Sequence, residues 1–491
     1  ELGAMVGHSF LKTRSRTSYI DAQNYPSPAF DVASVAANIV DASAGLSEYA
    51  IESYFARLSL AYKDRYVVNA TIRTDGSSRF APDCRWGWFP SVSVGWNVSN
   101  ESFWNAEKTD LKIRASYGRT GNQDGISNYG WQALISGGVN YGGQSGIAIS
   151  SSGNDRLTWE TADQYNAGFD LSFLGGKINM IADVYLKNTN NLLYSKPVHA
   201  TTGETSILSN IGSMRNKGVE FTINTHLNLG KVLWSSSFNI ARNVNKLTSL
   251  LEDDLLSIGA NRALKLGRTV GSWYIFRTDG IYQYDGEVPQ ALYDKGVRAG
   301  DVKYWDRNGD GNITDDDRIV TGNPNPKFSG GWNNTFKYKG LELSLFFTYS
   351  YGNDVYASWM IHGSKPGYTR SLLKAYADNR WTGPGTSDKY PRAIYSYSGW
   401  NGKNSTMYLT DGSFIRLRSV TLGYTFPQRL VSKIHLKGLR VYAQGDNVFL
   451  CSRYPGWDPE TSVNLDPRFY GEDNDGVPQP RIFKLGVNIT F

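Results

Sequence analysis

The densest cluster of chemistry-bearing residues is DRNGDGNITDDD, residues 306–317. Asp306, Asn308 and Asp310 fall on alternate positions, and Asp317 closes the twelve-residue frame. Side-chain oxygens at positions one, three, five and twelve, with the backbone carbonyl of Asn312 at seven, are the hard ligands that Ca²⁺ takes. Gly311 stands at six, where such a loop turns sharply, and Ile313 at eight offers an apolar anchor. Asp317 replaces the usual Glu, so a looser final contact is expected. Pro324 and Pro326 follow soon after, and the flanks do not read as two helices. The expectation is therefore a calcium loop without its paired helices, carried by an insertion over residues 285–325. A plain Asp/Asn/Gly surface turn would have the same composition. On an outward-facing loop an affinity of about 10⁻⁴–10⁻³ M would serve, bracing a polar segment that burial cannot order.

Little else points to a reaction. His8, His199, His226, His362 and His435 are scattered without zinc spacing, and there is no phosphate loop or nucleophile elbow, so no enzyme is expected. Trp131, Trp159, Trp381, Trp400 and Trp457 lie in loops, where they could stack on sugar rings or pack loop against loop. Fifty-one basic and 45 acidic residues leave a net charge of +6, dispersed along the chain, which is no nucleic-acid footprint. Cys84 and Cys451 are too few for a disulfide framework, and their pairing is left open.

The elements that would position these loops are strands. In residues 481–491, Leu485, Val487, Ile489 and Phe491 alternate with Lys484, Gly486, Asn488 and Thr490. Such a strand is apolar on one face and polar on the other, and is about as long as a tilted strand needs to cross a bilayer. Residues 1–22 read as one loosely patterned strand, and further strands are read at 54–62, 66–73, 87–98, 111–119, 164–173, 177–187, 217–228, 231–245, 327–337, 341–351, 414–426 and 439–447. Residues 23–50 read as a polar loop, and 272–284 as an extra strand-like piece. Short turns and long loops largely alternate along this list of fourteen, as a transmembrane antiparallel β-barrel requires. A soluble sandwich scatters its loop lengths, and neither the fixed period of a solenoid nor the four-strand period of a propeller is present. Mean hydropathy is only −0.41, and no run reaches the ~18–20 apolar residues of a membrane helix. Neither fact weighs against a barrel, half of whose wall residues face a polar lumen. Tyr62, Tyr66, Trp96, Tyr117, Tyr185, Tyr349, Tyr424 and Phe426 lie near strand ends, where interfacial girdles form.

Several stretches carry a resemblance. YFARLSLAYKDRYVVNATIRTDGSSRF (54–80), WGWFPSVSVGWNVSNESFW (86–104) and LKIRASYGRTGNQ (111–123) resemble the SusC/RagA family of TonB-dependent outer-membrane transporters. So do MRNKGVEF (214–221), DRNGDGNITDDDR (306–318), GNPNPKFSGGWNN (322–334) and GSFIRLRSVTLGYTFP (412–427). The resemblance covers essentially the whole chain. It implies an all-β, 22-stranded barrel filled by an N-terminal plug. It further implies TonB-energised import of oligosaccharides or peptides across a Gram-negative outer membrane, with a SusD-like lipoprotein over the mouth. The family's TonB box, plug and first strands would precede Glu1, so these strands are expected to be the last 14 of the 22. The chain is then a fragment, or one of two chains that close a barrel together. A passive porin and a secreted all-β carbohydrate-binding protein are the alternatives.

Overall fold

The computed structural model of the chain describes residues 1–105, 107–199, 201, 203–250, 254–366, 371–395 and 399–491. Fourteen strands are hydrogen-bonded in chain order into one sheet. They are β1 (Leu2–Gln23), β2 (Asn38–Tyr62), β3 (Tyr66–Ser77), β4 (Ser91–Asn97), β5 (Asp110–Asn122), β6 (Glu160–Phe173) and β7 (Ile178–Asn190), followed by β8 (Ser213–Leu229), β9 (Val232–Ser249), β10 (Phe328–Tyr338), β11 (Leu341–Tyr351), β12 (Phe414–Thr425), β13 (Gly438–Ser452) and β14 (Ile482–Thr490). The registers from β1 to β4 and from β9 to β14 are antiparallel. The chain divides into two compact units. One comprises residues 1–100, 114–166 and 187–214; the other comprises residues 101–113, 167–186 and 215–491.

The alternation read from the sequence is what the strands use, but inverted relative to a soluble protein. In the first unit Leu58, Leu60, Ile72, Val92 and Val94 are 42–49% exposed. In the second, Leu485 is 88% and Val487 56% exposed. Contiguous apolar surface of this kind is stable only against another apolar phase, here hydrocarbon. The close-packed apolar clusters lie in the long connections instead. Phe80, Phe89, Ile126, Leu157 and Trp159 form one in the first unit. The second unit has two, one around Phe276, Ile281, Leu292, Val302 and Tyr304, the other around Trp273, Ile275, Val355, Tyr356 and Tyr408.

Turn chemistry sets the short ends. Lys63 and Asp64 both take positive φ (50° and 53°) between β2 and β3, and Arg65 N–H donates to the Tyr62 carbonyl at 2.9 Å. Two left-handed residues give the twist that matches a tight hairpin. Lys339 and Gly340 do the same between β10 and β11 (47° and 87°).

The strands outrun the sequence reading at the end where the long connections lie. β3 continues to Ser77, β5 to Asn122, β7 to Asn190, β9 to Ser249 and β13 to Ser452, while β6 starts at Glu160 and β8 at Ser213. The largest departure is residues 38–50, expected as loop. They are strand, paired with β1 from Lys12↔Ala50 to Gln23↔Asn38 with a single register shift. Beyond the hydrocarbon both faces of a strand meet water, so the backbone ladder persists while side-chain alternation is no longer selected. Residues 87–98 are interrupted at Phe89 and Pro90, separating Trp86–Trp88 from β4, where Pro supplies no ladder N–H. Residues 272–284 split at Arg277 into Trp273–Phe276 and Thr278–Ile281. Cys84 and Cys451 are both free thiols.

Val94→Arg, on the exposed apolar face, is expected to destabilise the folded wall by about 2–4 kcal/mol. Ser93→Asn, on the opposite face, should change it by less than about 0.5 kcal/mol. Urea unfolding in lipid vesicles measures both.

Candidate functional site

The long connections of the second unit fold into an ordered assembly. Leu255–Ile258, Arg262–Lys265, Trp273–Phe276 and Arg318–Thr321 form a four-stranded sheet, Thr278–Ile281 pairs with Val302–Tyr304, and Asp354–Ala357 lies between Leu409–Asp411 and Glu472–Asp473. These strands are too short to hold by their ladders alone; buried ionic ties join them. Asp301, 2% exposed, accepts both Nε and Nη2 of Arg392 (2.9 and 3.0 Å) and Nδ2 of Asn401 (2.9 Å). Asn401 in turn accepts the backbone N–H of Val302 at 2.9 Å. Arg262 is fully buried and stacks on Trp273, its guanidinium carbon 4.1 Å from the ring centroid. It donates to the carbonyls of Gly271, Phe469 (3.3 Å) and Tyr470 (3.0 Å). Burial pushes its guanidinium down to about 10, the desolvation of a charge that the Glu472 carboxylate, 3.9 Å away, only partly offsets. Burial likewise raises the Asp354 carboxyl above the ordinary carboxylate range and the Tyr454 hydroxyl well above that of a free phenol.

The last long connection is tied to the wall. Arg416 of β12, 2% exposed, meets Asp458, 1% exposed, at 2.5 Å, and its Nε lies 2.7 Å from Glu460. Arg418 takes the other Glu460 oxygen at 2.6 Å. Asp458 also accepts the backbone N–H groups of Glu460 and Gln479, both at 3.0 Å.

The calcium template lies in this assembly between Val302–Tyr304 and Arg318–Thr321. Ile313 is buried in the cluster around Val302 and Tyr304, as an apolar anchor should be. Asp306 accepts the N–H groups of Gly309 (2.7 Å) and Gly311 (2.8 Å), Asn308 that of Asp310 (3.0 Å), and Asp310 that of Asn312 (2.7 Å). Asp317, fully buried, accepts from Arg307 and Thr314 at 2.9 and 2.7 Å. The Asn312 side chain is taken by Lys295 Nζ at 2.7 Å. The donor set is chemically suited to Ca²⁺, and each bonded oxygen keeps a second lone pair. The carboxylates are nonetheless turned onto backbone amides, and among the described residues no group of three His, Cys, Asp or Glu side chains converges as a metal site.

In the first unit the polar face of the wall forms a recess of about 390 Å³, lined by Arg57, Asn69, Thr71, Ser93, Ser116 and Gln164 among others. Arg57 donates to Asn69 at 3.2 Å, Gln164 to Asn166 at 3.0 Å, and Asn166 to Ser116 at 3.3 Å. Only one member is charged, so the surface offers neutral donors and acceptors in both senses. The arrangement can bind hydroxyls and amides; it holds no nucleophile–base pair.

A family model described as TonB dependent receptor-like, beta-barrel matches residues 3–448. The chain belongs to that family. It is 30% identical over 516 residues to TonB-dependent receptor P3 of Formosa agariphila, covering 100% of this chain and 50% of that protein. It is 31% identical over 464 residues to TonB-dependent receptor SusC of Bacteroides thetaiotaomicron, covering 89% of this chain and 43% of that one. A solved structure of the RagAB peptide transporter superposes with a TM-score of 0.85 at 23% identity, over 100% of this chain and 53% of that chain. The chain spans about half the length of the curated relatives it matches. As a member of that family the chain is β-barrel wall of the outer membrane, and its exposed apolar face is the lipid-facing one.

Within this receptor barrel the aromatics divide. Tyr66 stacks on Trp96 (centroids 6.4 Å apart) at the short-turn end, and Tyr424 packs edge-on to Phe426 at 4.9 Å. Tyr349 crosses the apolar face to donate to the Asn239 carbonyl at 2.9 Å, lying where a Cβ on Gly330 would sit. Tyr185 lies on the face opposite Ile178, Met180 and Val184, over Gly218, so it belongs to no lipid-facing girdle. Of the loop tryptophans, Trp159 is buried and donates to the Arg85 carbonyl at 2.9 Å. Trp381 donates to Gln283 at 3.2 Å and Trp400 to the Val302 carbonyl at 2.9 Å. These three pack loop on loop. Trp131 is half-buried, and Trp457, 82% exposed, is free to stack on a ligand. The residues that sequence reading missed, Arg262, Asp301, Arg392, Arg416 and Asp458, each have a partner at least 42 positions away. An arginine in an otherwise apolar strand end, as in FIRLRS, is the only local signal any of them carries.

Arg416→Ala leaves the buried Asp458 without its cation and Glu460 with Arg418 alone, which is expected to cost about 3–5 kcal/mol. Hydrogen exchange across residues 454–480 should rise strongly. The double variant Arg416→Met/Asp458→Leu should recover most of the protection, because the pair's value is mainly in being complete.

Proposed function

We propose that the protein acts in TonB-dependent import across the outer membrane, taking up oligosaccharides or peptides together with a SusD-like surface lipoprotein. In this reading the chain is the C-terminal part of the barrel. It supplies wall, lumen face and outer loops, while the plug and the TonB contact lie in the rest of a longer protein. The observation that carries the reading is the family match over residues 3–448. The neutral hydrogen-bonding recess of the first unit supports a hydroxyl- or amide-rich cargo over an ionic one. The likeness to a transporter described as moving peptides, and the membership of SusC among the relatives, keep both cargo classes in view. Cells that express the full-length protein should accumulate fluorescent oligosaccharide or peptide only when TonB is functional. Uptake that continues without TonB would identify a passive channel instead.

A structural Ca²⁺ in the loop of residues 306–317 is proposed with it. Asp306, Asn308, Asp310, the Asn312 carbonyl and Asp317 would hold the ion, which would brace the insertion against the cluster reached by Ile313. The buried Asp317 carboxylate supports this. Chelation with EDTA should speed proteolysis within residues 306–317, and excess Ca²⁺ should restore resistance. Equal cleavage with and without the ion would mean that the backbone amides alone hold the loop.

A further inference from the structure

The short connections of the second unit have a composition that neither transport nor the loop assembly uses. Residues 174–177, 230–231, 339–340 and 426–437 join β6 to β7, β8 to β9, β10 to β11 and β12 to β13. Because consecutive antiparallel strands alternate in direction, these four connections emerge at one end of the sheet. Together they carry Lys177, Lys231, Lys339, Arg429, Lys433 and Lys437 and no Asp or Glu. All six cations are exposed, and none takes part in an ion pair among the described residues. Glu342, at the start of β11, is already held by Lys337 at 3.0 Å and Arg440 at 2.8 Å. The earlier connection, residues 98–110, carries both signs, with Glu101, Glu107 and Asp110 beside Lys108. The uniform sign is therefore a property of these four connections.

A second feature accompanies the charge. Each connection has an exposed apolar side chain within it or at the strand end leading into it: Leu174, Leu229, Tyr338, and both Leu430 and Ile434. Lys339 lies over the Tyr338 ring at 5.4 Å. The fourth connection is helical through Gln428–Val431 and Ser432–Ile434. Leu430 and Ile434 are four residues apart, and Arg429 and Lys433 form the adjoining pair, so apolar and basic stripes run side by side. Val431, 2% exposed, is turned inward and fixes the segment against the wall. Cations alone would suit any aqueous anion. Cations set beside exposed leucine, isoleucine and tyrosine suit the boundary between headgroups and acyl chains.

We propose that this rim binds the phosphate headgroups of anionic phospholipids in the leaflet on the short-turn side, the periplasmic one in such barrels. The ammonium and guanidinium groups take the phosphates, and Leu174, Leu229, Tyr338, Leu430 and Ile434 enter the acyl boundary. The occupant is a lipid because an acidic polymer or free phosphate would leave the apolar stripe in water. The inference rests on membrane placement and not on the import reading, so loss of either leaves the other standing.

The test titrates the protein, purified in its native assembly in a nonionic detergent, with phosphatidylglycerol while melting temperature and retained lipid are followed. Phosphatidylcholine, inorganic phosphate and polyglutamate are the parallel arms. Phosphatidylglycerol should raise the melting temperature and remain bound, and the other three should not. The variant K177Q/K231Q/K339Q/K433Q/K437Q should need at least about tenfold more phosphatidylglycerol for the same shift. Leu430→Ser/Ile434→Ser should weaken the response with every charge in place. If the multiple variant melts lower in detergent alone, Lys339→Gln and Lys433→Gln decide singly, each by about fivefold. Equal shifts with phosphatidylcholine, reproduction by phosphate or polyglutamate, or an unchanged dose in the variants would overturn the proposal.

Discussion

Hydrocarbon offers no hydrogen bonds, and that constraint organises this chain. Every N–H and C=O at membrane depth has to find its partner in a neighbouring strand, because an orphan there costs several kcal/mol. Fourteen strands paired in chain order meet this requirement along the sheet. The same solvent then inverts the usual rule of burial. Leucine and valine face outward, and serine, asparagine and arginine face inward, so the wall has little apolar core of its own.

The apolar clusters and buried charges are found in the connections instead. A loop assembly of short strands cannot be held by ladders alone, and the second unit replaces ladder length with ionic ties. Arg262 under three carbonyls, Asp301 between Arg392 and Asn401, and Arg416 against Asp458 each join segments far apart in the chain. Ties of this kind weigh little in net stability when complete and a great deal when broken. They suit a surface that must hold one conformation while standing in water above a membrane. The loops of the second unit are thus a built structure, with Trp381 and Trp400 packed within it and Trp457 exposed, while Trp159 packs in the separate cluster of the first unit.

Much of this was legible beforehand because period two is a local signal. Period two points to fourteen segments, and among the described residues fourteen strands follow one another in chain order through the main sheet. The errors fall where lipid stops selecting side chains. Residues 38–50 carry no clear alternation because both faces are wetted, yet they pair with β1 through their backbone. Pro90 broke a segment read as continuous, and Tyr185 proved to belong to the opposite face from the apolar stripe. The calcium template sits at intermediate depth. Its spacing and its apolar anchor were visible in the residues, and Ile313 is buried as expected. Whether its carboxylates converge depended on backbone amides that no spacing rule describes.

Family, wall, turns and the polar face were therefore determined by the order of residues, since each depends on neighbours two to four positions apart or on the twist of a tight turn. Only the tertiary structure decided which arginines are buried, which tryptophans remain exposed, and how the long connections lock together. Those outcomes hinge on contacts between residues up to 211 positions apart. Desolvation and pairing at such distances are set by the fold as a whole, and leave no periodic trace in the chain.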